Sequence, residues 1–234
     1  MFKMLTEIAG VGEYELVPSD DYSLTLDNFF KMCLIVQRIK SKVPVVIMGE
    51  TGVGKTALIR FLAKNVYRDE LLCLNVNAGT NEKVLAAKFE EIKRISKVLE
   101  EFGKRLWVFF DEFNTTDDVG YISELIMEHR FLGEPLNCNN VVFLAACNPF
   151  RNIRANERRR PILGYERRTS HIGNLLYRVL PPPESTLEVM WNFEELKPRE
   201  TELYIRAILH RIEYRREKVV QVLIQIHAMI QNQV

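Results

Sequence analysis

Paired cysteines are missing from this chain. The four that occur, Cys33, Cys73, Cys138 and Cys147, stand apart with no C-x-x-C spacing, which argues against a disulfide framework or a zinc ribbon and suits a reducing compartment. Long hydrophobic runs are missing too: the longest, VVFLAAC and VPVVIM, fall far short of the ~20 residues that cross a bilayer. The opening MFKMLTEIAGVGEYE has acids and glycines where a secretory signal carries its apolar stretch, so a cytoplasmic location is expected. Neither sign of charge dominates, with 32 Lys+Arg against 31 Asp+Glu, and the total therefore does not mark a nucleic-acid or membrane-surface protein. His129, His171, His210 and His227 lack any H-E-x-x-H or H-x₃-H spacing, which weighs against a transition-metal site. No G-x-S-x-G nucleophile elbow occurs. What remains is 234 residues, 47% of them apolar, enough for one large domain, or a domain with a smaller attachment, whose core needs no covalent staples.

Residues 1–23, with Gly10, Gly12, Pro18 and the Asp20-Asp21 pair, read as an arm or linker. Thr25 can cap a helix carrying Leu26, Phe29, Phe30, Cys33 and Leu34 at helical spacing. From Val43 onward a repeating pattern sets in of apolar run, turn and amphipathic segment. VPVVIM, LLCLNV, LWVFF and VVFLAAC are short, β-branched or aromatic, and apolar on both faces, as strands of a parallel sheet covered on both sides must be. The segments between them, 55–65, 81–102 and 118–130, predict helices, so the class is α/β with right-handed crossovers. A fifth strand is predicted at Leu175–Leu180, and the triple proline Pro181–Pro183 then ends the sheet pattern. Two helical stretches follow, roughly 199–216 and 217–231, the second with Val219, Val222, Leu223, Ile226, Met229 and Ile230 on one face that something must cover. The expected division is an arm and leading helix over 1–41, an α/β domain over 42–180 and the start of a helical subdomain over 181–234.

The strongest chemical signal is Gly49-Glu50-Thr51-Gly52-Val53-Gly54-Lys55-Thr56, a full G-x-x-x-x-G-K-T match between a predicted strand and a predicted helix. Glycines let the backbone curl so that successive N–H groups point inward, and the helix adds its positive end, a cradle for a polyphosphate. Lys55 would reach the β and γ phosphates and Thr56 would hold Mg²⁺. The second signal is LWVFFDEFN over 106–114. Its acids fall at the C-terminal end of a strand, the sheet edge that also carries the glycine loop. Asp111 would help hold Mg²⁺ and Glu112 would orient or deprotonate the attacking water. Third, VVFLAACN brings Asn148 to the same edge, where an amide can bond both the γ-phosphate and the water; the Asn148-Pro149 pair also reads as a simple turn start. Asn77, at the end of LLCLNVN, is a weaker candidate for restraining Glu112.

Residues 151–168 hold seven arginines, Arg151, Arg154, Arg158, Arg159, Arg160, Arg167 and Arg168, against Glu157 and Glu166. An arginine finger for a neighbouring subunit's nucleotide, a nucleic-acid contact and a solvated charged loop all fit this local field. The lack of an aromatic platform or a recognisable DNA or RNA motif weighs against nucleic acid.

Taken in order, the glycine loop, the strand ending Asp111-Glu112, the strand ending Asn148 and the helical appendage resemble an AAA+ ATPase module with its Walker A, Walker B and sensor 1 elements. TLDNFFKM, PVVIMGETGVGKTALIRFL, FFDEFNTT, AACNPFR and LLYRVLPPPESTLEVMWNFEEL further resemble AAA+ modules of mysterin-type giant proteins, which couple a dynein-like ATPase core to an E3 ubiquitin ligase. These matches span about residues 24–215. The resemblance implies a P-loop NTPase fold of AAA+ type, with a five-stranded parallel sheet flanked by helices and a small helical lid. It also implies ATP and Mg²⁺ as cofactors and other AAA+ modules or subunits as partners, with the ubiquitin machinery a partner by resemblance only. Three departures limit it. The loop from Asn148 to Leu175 is short for the family, and the lid breaks off before the region where a sensor 2 arginine would be sought. Four cysteines and four histidines scattered from 33 to 227 cannot supply the closely spaced ligand pairs of a RING. The trans-acting arginine is left open between Arg168, Arg178 and neither.

The leading expectation is a Mg²⁺-dependent ATPase in which Lys55, Glu112 and Asn148 act on the triphosphate. A nucleotide-binding interaction module with little turnover is a second reading, and a P-loop small-molecule kinase with Arg158–Arg160 as its lid is a third. The absence of an N-K-x-D motif weighs against a GTPase.

Overall fold

A computed structural model describes residues 1–12, 22–149, 179–211 and 217–231. The expected strands form at β1 (Val45–Met48), β2 (Glu70–Asn75) and β3 (Leu106–Asp111), followed by the two-residue pair β4 (Arg130–Phe131) and β5 (Glu134–Pro135), then β6 (Val141–Cys147) and β7 (Met190–Asn192). The main sheet is parallel throughout, in the order β2-β3-β6-β1-β7. Because β1 sits between β6 and β7, the loop leaving β1 emerges where the connections part to either side, the crevice in which open α/β sheets place ligands.

Side-chain alternation divides the core into two layers. Val45 and Ile47 of β1, Trp107 and Phe109 of β3, and Leu144 and Ala146 of β6 pack with Leu5, Met32, Ile35, Leu58 and Ile59. Their neighbours Val46, Val108, Phe110, Phe143 and Ala145 pack on the other face with Leu85, Phe89, Ile92, Ile122 and Leu125. Each fully buried Val, Leu, Ile, Phe or Met among them contributes about 1.5–3 kcal/mol, so strands apolar at every position are what this sandwich of helix, sheet and helix demands. The helices on the first layer are α1 (Phe2–Ala9), α2 (Leu26–Lys40) and α3 (Lys55–Phe61), the last running on as a π-helical turn over Leu62–Tyr67; α4 (Glu82–Glu101) and α5 (Val119–Glu128) cover the second. Thr25 caps α2 by accepting from the Asn28 N–H at 3.2 Å, as the sequence predicts, and Asn81 caps α4 through the Val84 N–H at 3.1 Å.

Two sequence expectations are corrected. Residues 2–9 are a helix, not an arm: Leu5 and Ala9 lie on one face four residues apart and are buried. Gly10, read as linker, is the C-cap at φ 74°, its N–H meeting the Thr6 and Glu7 carbonyls at 3.0 and 3.1 Å. The fifth strand is β7, beyond the triple proline, and pairs with β1 through Val46 and Met190. Of the segment predicted as that strand, Leu175–Arg178 lie outside the described residues, and Val179 and Leu180 are in no strand. Three residues, MWN, carry too little periodicity to announce a strand. The sheet therefore continues past 181, through the one-turn helix α6 (Glu184–Leu187), before α7 (Pro198–Arg211) and α8 (Glu217–Gln231) begin. Arg206 of α7 pairs with Glu217 of α8 at 2.9 Å, while Val222, Leu223, Ile226 and Met229 are exposed. Among the described residues no helix is long and apolar enough to cross a membrane, and the four cysteines are unbridged.

Candidate functional site

The glycine loop turns as its composition requires. Gly52 and Gly54 have φ of 90° and 92°, a region closed to most side chains, and a Cβ on either would meet nothing within 4 Å. The space beside them stays open. Gly49 is a glycine for a different reason, since a Cβ there would come within 2.7 Å of the Phe193 carbonyl. That carbonyl belongs to the strand end after β7, whose Phe193 N–H donates to the Met48 carbonyl at 2.5 Å. The sequence gives no sign of this approach.

Gly54 starts α3, so Lys55 and Thr56 occupy its first turn, with free N–H groups and the positive end of the helix dipole directed at the loop. The Lys55 side chain is buried; its Nζ donates to the Gly49 carbonyl at 2.5 Å, the Glu50 carbonyl at 2.9 Å and the Asn148 Oδ1 at 3.2 Å. These acceptors are uncharged. Burial pushes the Lys55 ammonium below the usual lysine range, opposed first by the Asp111 carboxylate. A desolvated cation whose hydrogen bonds go to carbonyl oxygens at the end of a glycine loop is suited to an incoming anion.

Thr56 Oγ1 donates to Asp111 Oδ2 at 2.5 Å, bringing together two hard oxygen ligands of the kind Mg²⁺ prefers. Next to Asp111 the chain bends sharply, with Glu112 at φ 57° and ψ 38°, a left-handed conformation that costs a non-glycine residue about 1–2 kcal/mol. The bend is held by Thr115, whose N–H donates to the Glu112 carbonyl at 3.1 Å and whose hydroxyl lies 2.8 Å from the same oxygen. It turns the Glu112 carboxylate toward Asn148, whose Nδ2 donates to Oε1 at 3.3 Å. Asn148 is thus shared between Lys55 and Glu112 from the end of β6. Burial raises the thiol of its neighbour Cys147 to about 12, leaving it protonated and inert.

Thr51, Gly52, Gly54, Lys55, Thr56, Ala57, Asp111, Glu112 and Asn148 line one cleft of about 300 Å³. The three segments singled out in the sequence meet there, while Gly49, Glu50 and Val53 are not part of its lining. Asn77 does not join them: its Oδ1 accepts from the Gly79 N–H at 2.9 Å in a local turn. Residues 151–168 and Arg178 lie outside the described residues. A second cleft of about 350 Å³ adjoins the first, sharing Thr51, Gly52, Gly54 and Ala57 with it and lined also by Tyr22, Asn28, Val53, Leu196, Thr201 and Tyr204. Sequence reasoning missed it, because its walls come from α2, the loop and the start of α7, and no short motif joins them.

A family model described as the RNF213 AAA domain matches residues 22–151. The chain is 34% identical over 212 residues to the E3 ubiquitin-protein ligase rnf213-beta of Danio rerio, covering 83% of this chain and 4% of that protein. It is 33% identical over 220 residues to the E3 ubiquitin-protein ligase RNF213 of Mus musculus, covering 86% and 4%. Dynein axonemal heavy chain 10 of Homo sapiens is 27% identical over 132 residues, which cover 50% of this chain and 3% of the dynein. The chain thus spans about one twenty-fifth of the length of its ligase relatives.

Proposed function

This chain belongs to the RNF213 AAA domain family, an AAA+ module of RNF213-type proteins, and on that premise we propose that it binds ATP with Mg²⁺ and hydrolyses the γ-phosphate. The observation that carries the reading is the convergence of Lys55, the Thr56–Asp111 pair, Glu112 and Asn148 on one cleft beside an open glycine loop. In this reading the loop amides of 52–56 take the phosphate oxygens, and Lys55 exchanges its carbonyl partners for the β and γ phosphates. Thr56 and Asp111 would hold Mg²⁺, which when bound neutralises phosphate charge and fixes the chain of the triphosphate. Glu112 orients a water for in-line attack and accepts its proton, and Asn148 bonds both the γ-phosphate and that water. The cleft walled by Tyr22, Asn28, Leu196 and Tyr204 has the mixed apolar and polar lining that a nucleoside requires. Its contact with α7 would let bound nucleotide reach the helical appendage.

Neighbouring AAA+ modules as partners are part of the same proposal, supported by the family and by the small share of its relatives that this chain represents. The test is single-turnover hydrolysis of γ-labelled ATP by the isolated chain. Phosphate release that depends on Mg²⁺ and on Lys55 supports an ATPase, whereas saturable binding without release supports the nucleotide-binding interaction module.

A further inference from the structure

Asn114 follows the left-handed bend at Glu112 and is completely buried. Its Nδ2 donates to the Asn148 carbonyl and to the Leu180 carbonyl, each at 3.1 Å. The Leu180 N–H returns a bond to the Asn114 carbonyl at 2.8 Å. The amide orientation follows from these neighbours, since the opposite flip would set Oδ1 against two carbonyl oxygens. Its Oδ1 has no hydrogen-bond partner among the described residues. The side chain is therefore held for its two donors, both spent on backbone that belongs to other parts of the site. One anchors the residue that touches Lys55 and Glu112; the other anchors the segment leading into Pro181–Pro183 and on to β7.

We propose that Asn114 is a positioning residue for hydrolysis: it fixes the backbone of Asn148 relative to Glu112, with Leu180 as the third anchor, so that the Asn148 amide meets the γ-phosphate. The inference rests on the ATP reading above. Asn148 is tethered at its backbone by Asn114 and at its side chain by Lys55 and Glu112. Losing the backbone tether lets the amide drift by the fraction of an ångström that matters to an in-line reaction. The diphosphate, which lacks the group Asn148 would contact, should be insensitive to that drift.

The molecule contains its own control. Asn140, at the opposite edge of the sheet, is a similar clamp whose Nδ2 donates to the Ser96 carbonyl at 2.8 Å and the Lys104 carbonyl at 3.1 Å. The experiment compares wild type, Asn114→Asp, Asn114→Ser and Asn140→Asp, reading calorimetric affinities for MgADP and for a non-hydrolysable Mg·ATP analogue, and the single-turnover rate with ATP. Asn114→Asp puts a carboxyl group against two carbonyls, while Asn114→Ser keeps one donor and serves if the aspartate variant does not fold. The expected result is MgADP affinity within about threefold of wild type, a triphosphate preference lowered about tenfold by loss of one bond, a rate lowered at least as much, a smaller effect in Asn114→Ser, and Asn140→Asp like wild type. Equal losses in the Asn114 and Asn140 variants, or an unchanged triphosphate preference in Asn114→Asp, would overturn the inference and leave the ATP reading standing. Failure of the wild-type chain to bind either nucleotide would overturn both.

Discussion

The hydroxyl of Thr56 donates to the carboxylate of Asp111 across 2.5 Å, joining the first turn of α3 to the last residue of β3. The two are 55 positions apart in the chain, and the sheet makes them neighbours because parallel strands deliver their C-terminal ends to one edge. Asp111→Asn keeps the shape but removes the negative charge of the ligand pair. ATP affinity measured with Mg²⁺ is expected to fall about 10- to 100-fold, while affinity measured in chelator changes little; equal losses in both conditions would remove Asp111 from metal binding.

Glu112 supplies a separate prediction, because its carboxylate is turned to Asn148 by a strained bend and makes no contact that the loop needs. Glu112→Gln should bind MgATP as tightly as wild type and lose about 10²- to 10⁴-fold in single-turnover rate. A variant that turns over normally would assign the water to another base.

The glycines separate backbone strain from crowding. Gly54→Ala meets no atom but must adopt φ 92°, so it should cost roughly 1–2 kcal/mol and disturb nucleotide binding. Gly49→Ala drives a Cβ against the Phe193 carbonyl at 2.7 Å and should cost about 1–3 kcal/mol by displacing the β1–β7 edge. Urea midpoints compare the two; a stable Gly49→Ala variant would mean that the β7 end yields freely.

His129 offers a pH test of the fold. It closes α5 at φ 55° as an exposed residue, but its ring lies edge-on to Phe143 at 5.1 Å, and the partial desolvation there holds its pKa below the usual 6.5. The unfolded chain then takes up the proton first as pH falls, so this contribution is complete above about 6.5 and is lost below it. Urea midpoints should drop between pH 7 and pH 5, and His129→Asn, which tolerates the left-handed backbone, should flatten that drop. An identical pH dependence in the variant would place the titration elsewhere.

The strands and the glycine loop were legible in the sequence because both are local. A strand buried on two faces must be apolar at each position, as Leu106–Phe110 is, and a loop curled through positive φ needs glycine where Gly52 and Gly54 stand. Asp111, Glu112 and Asn148 could be placed at one edge by the parallel topology alone. What escaped was fixed by contacts distant in sequence. β7 pairs through only three residues, and α1 hides its stripe of Leu5 and Ala9 in eight residues ended by a glycine. Asn114 carries no local signal, because its donors reach residues 34 and 66 positions away. Asn77 had the right address for a Glu112 partner, but its own turn with Gly79 satisfied it first.

Whether the curl from Gly49 to Thr56 holds a nucleoside triphosphate is decided by titration calorimetry with MgATP on the folded chain. The expected result is a saturable isotherm with about one site per chain, weakened at least about tenfold in Lys55→Ala, which removes a charge-assisted contact. An absence of heat up to millimolar MgATP, from protein shown to be folded, would contradict it.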